Sequence, residues 1–75
     1  MVRLHLDLGR EDGVRPQDLV GAITNEAGVT GRAVGAIQIS DRSSIVEVDE
    51  GAATEIVAAL RRTTIKGKKP AVRRV

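Results

Sequence analysis

Residues 31–48, GRAVGAIQISDRSSIVEV, decide the fold class of this chain. Apolar and polar side chains alternate on both sides of Asp41 and Arg42, and such alternation is typical of half-buried strands. The pattern predicts a strand over 33–39, a turn at Asp41 and Arg42, and another strand over 43–48. Because the connection is so short, the two strands must pair antiparallel.

Side chains in each of these strands are expected to divide between a covered face and an open face, since successive residues point to opposite sides. The parity places on the covered side Gly35, Ile37, Ile39, Ser44, Val46 and Val48. It places on the open side Val34, Ala36, Gln38, Ser43, Ile45 and Glu47.

The residues before this stretch predict a strand and a helix. Residues 2–8, VRLHLDL, alternate with their leucines on the covered face, and the charged loop GREDG (9–13) follows. Pro16 suits the first turn of a helix, because its missing amide hydrogen would have no partner there. The apolar residues at helical spacing and the expected C-terminal stop are Leu19, Ala22, Ile23, Ala27 and Gly28.

The residues after it predict a second helix and a last strand. Asp49 is a good helix N-cap. The amphipathic spacing that follows comprises Ala53, Ile56, Val57 and Leu60. Residues 66–68 predict a turn, and residues 69–74 predict a short strand. Pro70 cannot donate a ladder hydrogen bond, so this strand should lie at an edge of the sheet.

The predicted order is therefore β-α-β-β-α-β in one domain over residues 1–75. Two helices with one apolar stripe each must cover one face of a four-stranded antiparallel sheet. This α+β arrangement is the ferredoxin-like split β-α-β fold. The expected core is aliphatic and comprises Leu4, Leu6, Leu8, Leu19, Ile23, Ile37, Ile39, Val46, Val48, Ile56, Leu60 and Val72.

Composition argues against several classes of site. The 75 residues include no cysteine, no Phe, Tyr or Trp, and a single histidine, His5. We therefore expect no disulfide, no metal site, no cofactor and no catalytic constellation. No apolar run approaches the roughly 20 residues of a membrane span, and no leader pattern precedes the first strand. The expected location is cytosolic, with no membrane contact.

The net charge of +2 conceals an uneven distribution. Residues 61–75 carry seven cations and no acid, whereas the other residues carry five cations and ten acids. Such a basic end favours a polyanionic partner, although lysines also protect an exposed edge strand from aggregation.

A second candidate anion site lies before the first helix. Arg10 and Arg15 flank backbone amides that could hold a phosphate. Glu11 and Asp12 in the same loop repel one, so an ordinary glycine turn is the competing interpretation.

Four segments together resemble one known family. They are RLHLDLGREDGVRPQDLVGAI (3–23), GRAVGAIQISDRSSIVEV (31–48), the apolar helix that ends at Leu60, and TIKGKKPAVRR (64–74). They are similar to the DbpA-type RNA-binding domain appended to the helicase core of bacterial DEAD-box proteins, in particular of the DeaD/CsdA branch. The resemblance implies an RNA-recognition-motif-like fold that tethers an ATP-dependent RNA helicase to structured, typically ribosomal, RNA. It also implies that the chain is a fragment, since neither a phosphate-loop motif nor a DEAD box occurs in it.

RNA-recognition domains present aromatic rings on the open face of the first and third strands. The matching positions here are His5, Ser43 and Ile45, of which only His5 offers a ring. Phosphate contacts are therefore expected to dominate. The candidate RNA-binding residues are Arg3, His5, Arg42, Ser43, Lys66, Lys68, Lys69, Arg73 and Arg74, with Arg10 and Arg15 as the alternative surface.

Two functions of other classes share this element order. Small-molecule regulatory domains that sense amino acids have the same fold but need no basic terminal strand. A protein-interaction domain without RNA binding is favoured by the missing aromatic residues. The fold alone does not choose among them, and the charge asymmetry favours RNA.

Overall fold

The alternating segments form four antiparallel strands in the computed structural model, which describes residues 1–75. The elements are β1 (Val2–Leu6), α1 (Pro16–Ala27), β2 (Val34–Ile39), β3 (Ser44–Val48), α2 (Ala53–Arg62) and β4 (Val72–Arg74). The strand order is β2-β3-β1-β4, with β1 and β3 in the centre. The predicted α+β, ferredoxin-like arrangement is confirmed.

The core lies between the sheet and the two helices. Leucines of β1 and valines of β3 are fully buried and belong to one cluster with residues of both helices. Both helices therefore cover the same face. The fully buried members of this cluster are Leu4, Leu6, Leu19, Ile23, Val46, Val48, Ala53, Ile56 and Leu60. Val14 and Ile65, which the sequence pattern did not single out, are also buried.

Two residues of β2 are less buried than predicted. Ile37 and Ile39 pack against the core but are only half-buried. Since β2 is an outer strand, its side chains lie at the margin of the area that the helices cover.

A β-bulge in β2 overturns part of the predicted parity. Val34 pairs with Val48 and Ile37 with Val46, so two residues of β2 lie opposite the single residue Glu47. Val34 therefore packs against the core, and Gly35 lies on the open face instead of beside Ile37. A Cβ atom on Gly35 would lie 2.5 Å from the sulfur of Met1, on that open face.

The strands next to the basic end are shorter than predicted. β1 ends at Leu6, although Leu8 remains buried. β4 begins at Val72 and not at residue 69, and the buried Pro70 lies ahead of it. Asp7 carries the pairing one residue further: its Oδ1 accepts the Ala71 N–H at 2.7 Å, and its own N–H donates to the Ala71 carbonyl. β4 is an edge strand, as Pro70 predicted.

Both ends of α1 agree with the sequence. The helix begins at Pro16, and Gly28 ends it in a left-handed conformation with φ of 67°. Asp18 Oδ2 accepts the backbone N–H of Arg15 at 2.9 Å and so satisfies an amide at the helix start. Neither helix is long and apolar enough to cross a bilayer.

The start of α2 differs from the prediction. Asp49 precedes a 3-10 turn over Glu50–Ala52, and the α-helix begins only at Ala53. The prediction that Asp49 caps α2 is therefore wrong by one turn. The Asp49 side chain makes no capping hydrogen bond, and the turn is held instead by the Asp49 carbonyl, which accepts the Ala52 N–H at 3.0 Å.

Candidate nucleic-acid interface

The open face of the sheet centres on His5. Its cross-strand partners are Ile45 of β3 and Arg73 of β4, and Gln38 of β2 lies beside Ile45. One row of side chains thus crosses all four strands. His5 and Ile45 are half-buried, whereas Gln38 and Arg73 are exposed. The imidazole and guanidinium planes can stack on a base, and the guanidinium can also bind a phosphate.

Acidic residues on both sides of this row limit its positive charge. The side chain of Arg3 lies 3.7 Å from the carboxylate of Glu47 and is two-thirds exposed. Glu47 also accepts the N–H of Ala36 in the β2 bulge. Asp7 is held by its bond to the backbone at the start of β4. Arg73, the one lysine or arginine in the row, has no carboxylate within ion-pair distance.

Ser43 and Arg42 lie beyond the end of the open face, in the turn between β2 and β3. Ser43 precedes β3 by one residue, and its carbonyl accepts the Ser40 N–H at 2.8 Å. The Arg42 guanidinium lies 3.4 Å from the carboxylate of Glu11. The predicted stacking position at Ser43 is thus a half-buried hydroxyl beside a turn.

The GREDG loop (Gly9–Gly13) is fastened to the same turn by its backbone. The N–H groups of Arg10 and Glu11 donate to the carbonyls of Ser40 and Asp41, each at 2.8 Å. Gly9 lies so close to the turn that a Cβ atom would be 2.3 Å from the Ser40 carbonyl oxygen. This loop therefore has a structural role whether or not it also binds RNA.

Ion pairs neutralise most charges at this end of the molecule. Glu11 and Asp12, the two acids expected to repel a phosphate, each have a cation beside them. The pairs are Arg10–Asp41 at 3.8 Å, Arg42–Glu11 at 3.4 Å, Lys66–Asp18 at 3.7 Å and Lys68–Asp12. Of the two alternative RNA-binding residues, Arg10 is engaged and Arg15 has no ion-pair partner.

The Lys68–Asp12 pair joins the last turn to the GREDG loop. The hydrogen bond from Lys68, together with the bond from the Gly9 N–H, lowers the pKa of the Asp12 carboxyl. The same hydrogen bond raises the pKa of the Lys68 ammonium. Both groups are thus held in their charged forms, and a phosphate would have to compete with Asp12 for Lys68.

The remaining candidate cations lie on different sides of β4. Arg73 faces the open side beside His5, whereas Arg74 reaches α2, where its Nη2 donates to Thr54 Oγ1 at 2.9 Å. Lys69 is exposed but lies ahead of β4, so the strand predicted over 69–74 does not reach it and strand alternation does not place it on the open face beside His5. The nine candidates therefore form no single surface.

Arg61 of α2 is a candidate that the sequence analysis missed. Its Nη2 donates to the Val72 carbonyl of β4 at 3.1 Å. In the sequence it is one of two arginines at a helix C-terminus, a common position for a cation. Only the packing of α2 beside β4 brings it to Arg74.

Side chains able to hold a metal ion do not converge anywhere in the structure, since no group of three acids or histidines lies together. Every buried side-chain nitrogen or oxygen has a hydrogen-bond partner. Ser44, the one buried polar residue, donates to the Leu8 carbonyl at 2.6 Å. The exposed groups described above can bind an anion and stack on a ring.

A family model described as the DbpA RNA binding domain matches residues 3–74. The chain belongs to the DbpA RNA-binding domain family. The resemblance drawn from the four sequence segments is thereby confirmed. RNA binding is the role that this family assigns to the domain, and it is a role of recognition and not of catalysis.

Relatives of the DbpA-type domain are longer proteins named as helicases. An ATP-dependent RNA helicase DeaD from Buchnera aphidicola (subsp. Schizaphis graminum) is 36% identical over 85% of this chain and 11% of its own length. An ATP-dependent RNA helicase DbpA from Bacillus subtilis is 32% identical over 92% of this chain and 14% of its own. An ATP-dependent RNA helicase DeaD from Escherichia coli K12 is 35% identical over 84% of this chain and 10% of its own length. The chain thus spans between a tenth and a seventh of each of these relatives.

Proposed function

We propose that this domain is a single RNA-binding module, residues 1–75, of a larger ATP-dependent DEAD-box RNA helicase, and that it tethers the helicase core to structured ribosomal RNA. The match of the family model to nearly the whole chain carries the proposal. The names of the longer relatives support it. ATP hydrolysis then belongs to the helicase core, since these 75 residues contain no phosphate-loop motif and no DEAD box.

The open face around His5 is the RNA-binding surface that we favour. Arg73 lies next to His5 in the pairing of β4 with β1 and has no acidic partner. Lys69, also exposed and unpaired, lies close by in the chain. Phosphate contacts by these cations position RNA without reading its sequence. Because the chain has no Phe, Tyr or Trp, stacking on this face is limited to the imidazole and the guanidinium.

The GREDG loop with Arg15 is the competing surface. Its amides at the start of α1 and the charge of Arg15 favour an anion. Against it, Arg10 is engaged by Asp41 and by the Ile39 carbonyl, to which its Nη2 donates at 3.0 Å. Arg73 of the open face has no such partner and lies beside the imidazole of His5, so we rank the open face first.

Two charge-removing variants test this ranking. Lys69→Ala with Arg73→Ala should weaken RNA binding by roughly 1–3 kcal/mol in total, since each side chain can make a charge-assisted hydrogen bond to a phosphate. Arg10→Ala with Arg15→Ala removes the same charge and should weaken it less. Titration of each variant with a ribosomal RNA hairpin measures the effect, and a thermal melt confirms that each variant is folded.

NMR chemical-shift mapping with the same hairpin locates the surface directly. We expect shifts at His5, Ile45 and Arg73. Shifts confined to the GREDG loop and α1 would contradict the open-face surface while leaving RNA binding in place. No shift anywhere would contradict RNA binding itself and favour the protein-interaction domain that the missing aromatic residues also allow.

A further inference from the structure

A side chain of α2 contacts the free edge of β4. On the other side of the strand, the Ala71 carbonyl accepts the Asp7 N–H, and the Val75 N–H donates to the Arg3 carbonyl. Backbone groups of alternate residues in a strand point to opposite sides. Val72 therefore directs its backbone groups away from β1, which agrees with its carbonyl accepting the hydrogen bond from Arg61.

Two guanidinium groups converge at this edge. Arg61 donates to the Val72 carbonyl at 3.1 Å, and Arg74 donates to Thr54 Oγ1 at 2.9 Å. With Val57 they line one shallow groove between α2 and β4. A guanidinium has five N–H donors, and the structure shows one of them bonded in each case. Neither side chain has a carboxylate within 4.0 Å, so both charges are free for an external anion.

We propose that this groove is a second phosphate-binding surface for RNA, on the opposite side of β4 from the open face. This inference rests on the proposed function and extends it. Arg73 and Arg74 are neighbours in the strand, so they present cations to opposite sides of it. The domain can then hold one segment of phosphate backbone beside Arg73 and another beside Arg74 and Arg61.

A phosphate fits this groove better than a peptide strand. An added strand must accept and donate hydrogen bonds along the free edge of β4. Arg61 already occupies the outward carbonyl of Val72, so a strand would have to displace it. A phosphate needs only donors, and the fork of a guanidinium matches its oxygens in a bidentate geometry.

Two separate phosphate surfaces select a class of RNA. A single strand that crosses the open face reaches only one of them unless it folds around the edge of the sheet. A base-paired hairpin presents two backbone strands on one rigid body and can engage both sides of β4 together. We therefore expect the groove to add more affinity for a base-paired hairpin, which contacts both surfaces, than for an unpaired strand.

The test compares the variant Arg61→Gln with Arg74→Gln against a matched control, Arg32→Gln with Arg62→Gln. The control removes the same charge from exposed arginines for which the structure shows no side-chain hydrogen bond or ion pair. Each protein is titrated with a base-paired hairpin and with an unpaired strand of equal length over a range of salt concentrations. For the hairpin, losing two contacts should reduce the slope of log affinity against log salt by about 1.4–1.8. At 100 mM salt the affinity should fall about tenfold or more.

The expected pattern has two parts. In the Arg61/Arg74 variant the slope of log affinity against log salt becomes shallower for the hairpin and stays unchanged for the unpaired strand. In the control variant the slope stays unchanged for both RNAs. If that variant matches the control while the unchanged protein still binds the hairpin, the second surface is refuted and the proposed function stands. If the unchanged protein binds neither RNA, the proposed function fails as well. Should the double variant melt early, Arg74→Gln alone keeps the Arg61 bond and should show half of the slope change.

Discussion

Gly9 and Gly21 show that the effect of a missing side chain on stability depends on its surroundings. A Cβ atom at Gly9 would meet only backbone atoms of the β2–β3 turn, at 2.3 to 2.7 Å. Hydrogen bonds hold the backbone of this turn in place, so moving it aside would cost free energy. This position therefore disfavours a larger residue. Gly21, in the middle of α1, has no atom within 4 Å of such a Cβ. Glycine at this position lowers the stability of the helix, and no close packing contact requires it.

The substitution to alanine should therefore have opposite signs at the two positions. Gly9→Ala should destabilise the domain by about 1–3 kcal/mol, the usual range for overpacking. Gly21→Ala should stabilise it by about 0.5–1 kcal/mol through helix propensity. Urea unfolding followed by circular dichroism measures both, and a Gly9→Ala midpoint equal to that of the unchanged protein would show that the close approach at Gly9 carries no cost.

At the scale of elements, one ion pair joins two connecting segments that are far apart in the sequence. The last turn, with Lys68, and the GREDG loop, with Asp12, are otherwise separate connections between strands and helices. The pKa of the Asp12 carboxyl lies below its ordinary value of 3.8, and that of Lys68 lies above its ordinary value of 10.5. The pair therefore stabilises the fold only while both groups are charged.

This coupling should depend on pH in a defined direction. The contribution of Asp12 is fully present above pH 3.8, its ordinary pKa, and is lost as the pH falls through its lowered pKa in the folded protein. The contribution of Lys68 is present below 10.5 and is lost as the pH rises through its raised pKa. A double-mutant cycle of Asp12→Asn and Lys68→Met should show coupling at neutral pH that disappears in acid. Coupling that does not weaken as the pH falls below 3.8 would mean that the link is not an ion pair.

At the scale of the whole molecule, charge and not stacking is expected to govern RNA affinity. No Phe, Tyr or Trp is present, and five of the seven cations without an acidic partner lie in or just before β4 or at the C-terminal end of α2. For unpaired RNA, three or four engaged cations predict a slope of log affinity against log salt of about −2 to −3. Titration of this chain with an unpaired oligonucleotide between 50 and 300 mM salt gives that slope. A tight complex whose affinity does not change with salt concentration would indicate recognition by shape or hydrogen bonds instead.

The sequence by itself determined the elements and their order. Alternation in 2–8 and 43–48, Pro16 at the start of a helix and Gly28 at its end are local features, and each acts on the few residues around it. The faces of β1 and β3 follow from the same local rule, so His5 and Ile45 were correctly placed on the open side. Family membership could likewise be inferred from four short segments.

Only the tertiary structure decided where the charges act. Lys68 and Asp12 are separated by 56 residues in the chain, and no local pattern predicts that they meet. The bulge that moves Gly35 to the open face depends on how β2 pairs with β3, and Arg61 reaches Arg74 only because α2 packs beside β4. Ion pairs, bulges and grooves depend on distances between segments remote in sequence, and these distances are set by packing of the core, whereas strands and helices depend mainly on neighbours in the chain.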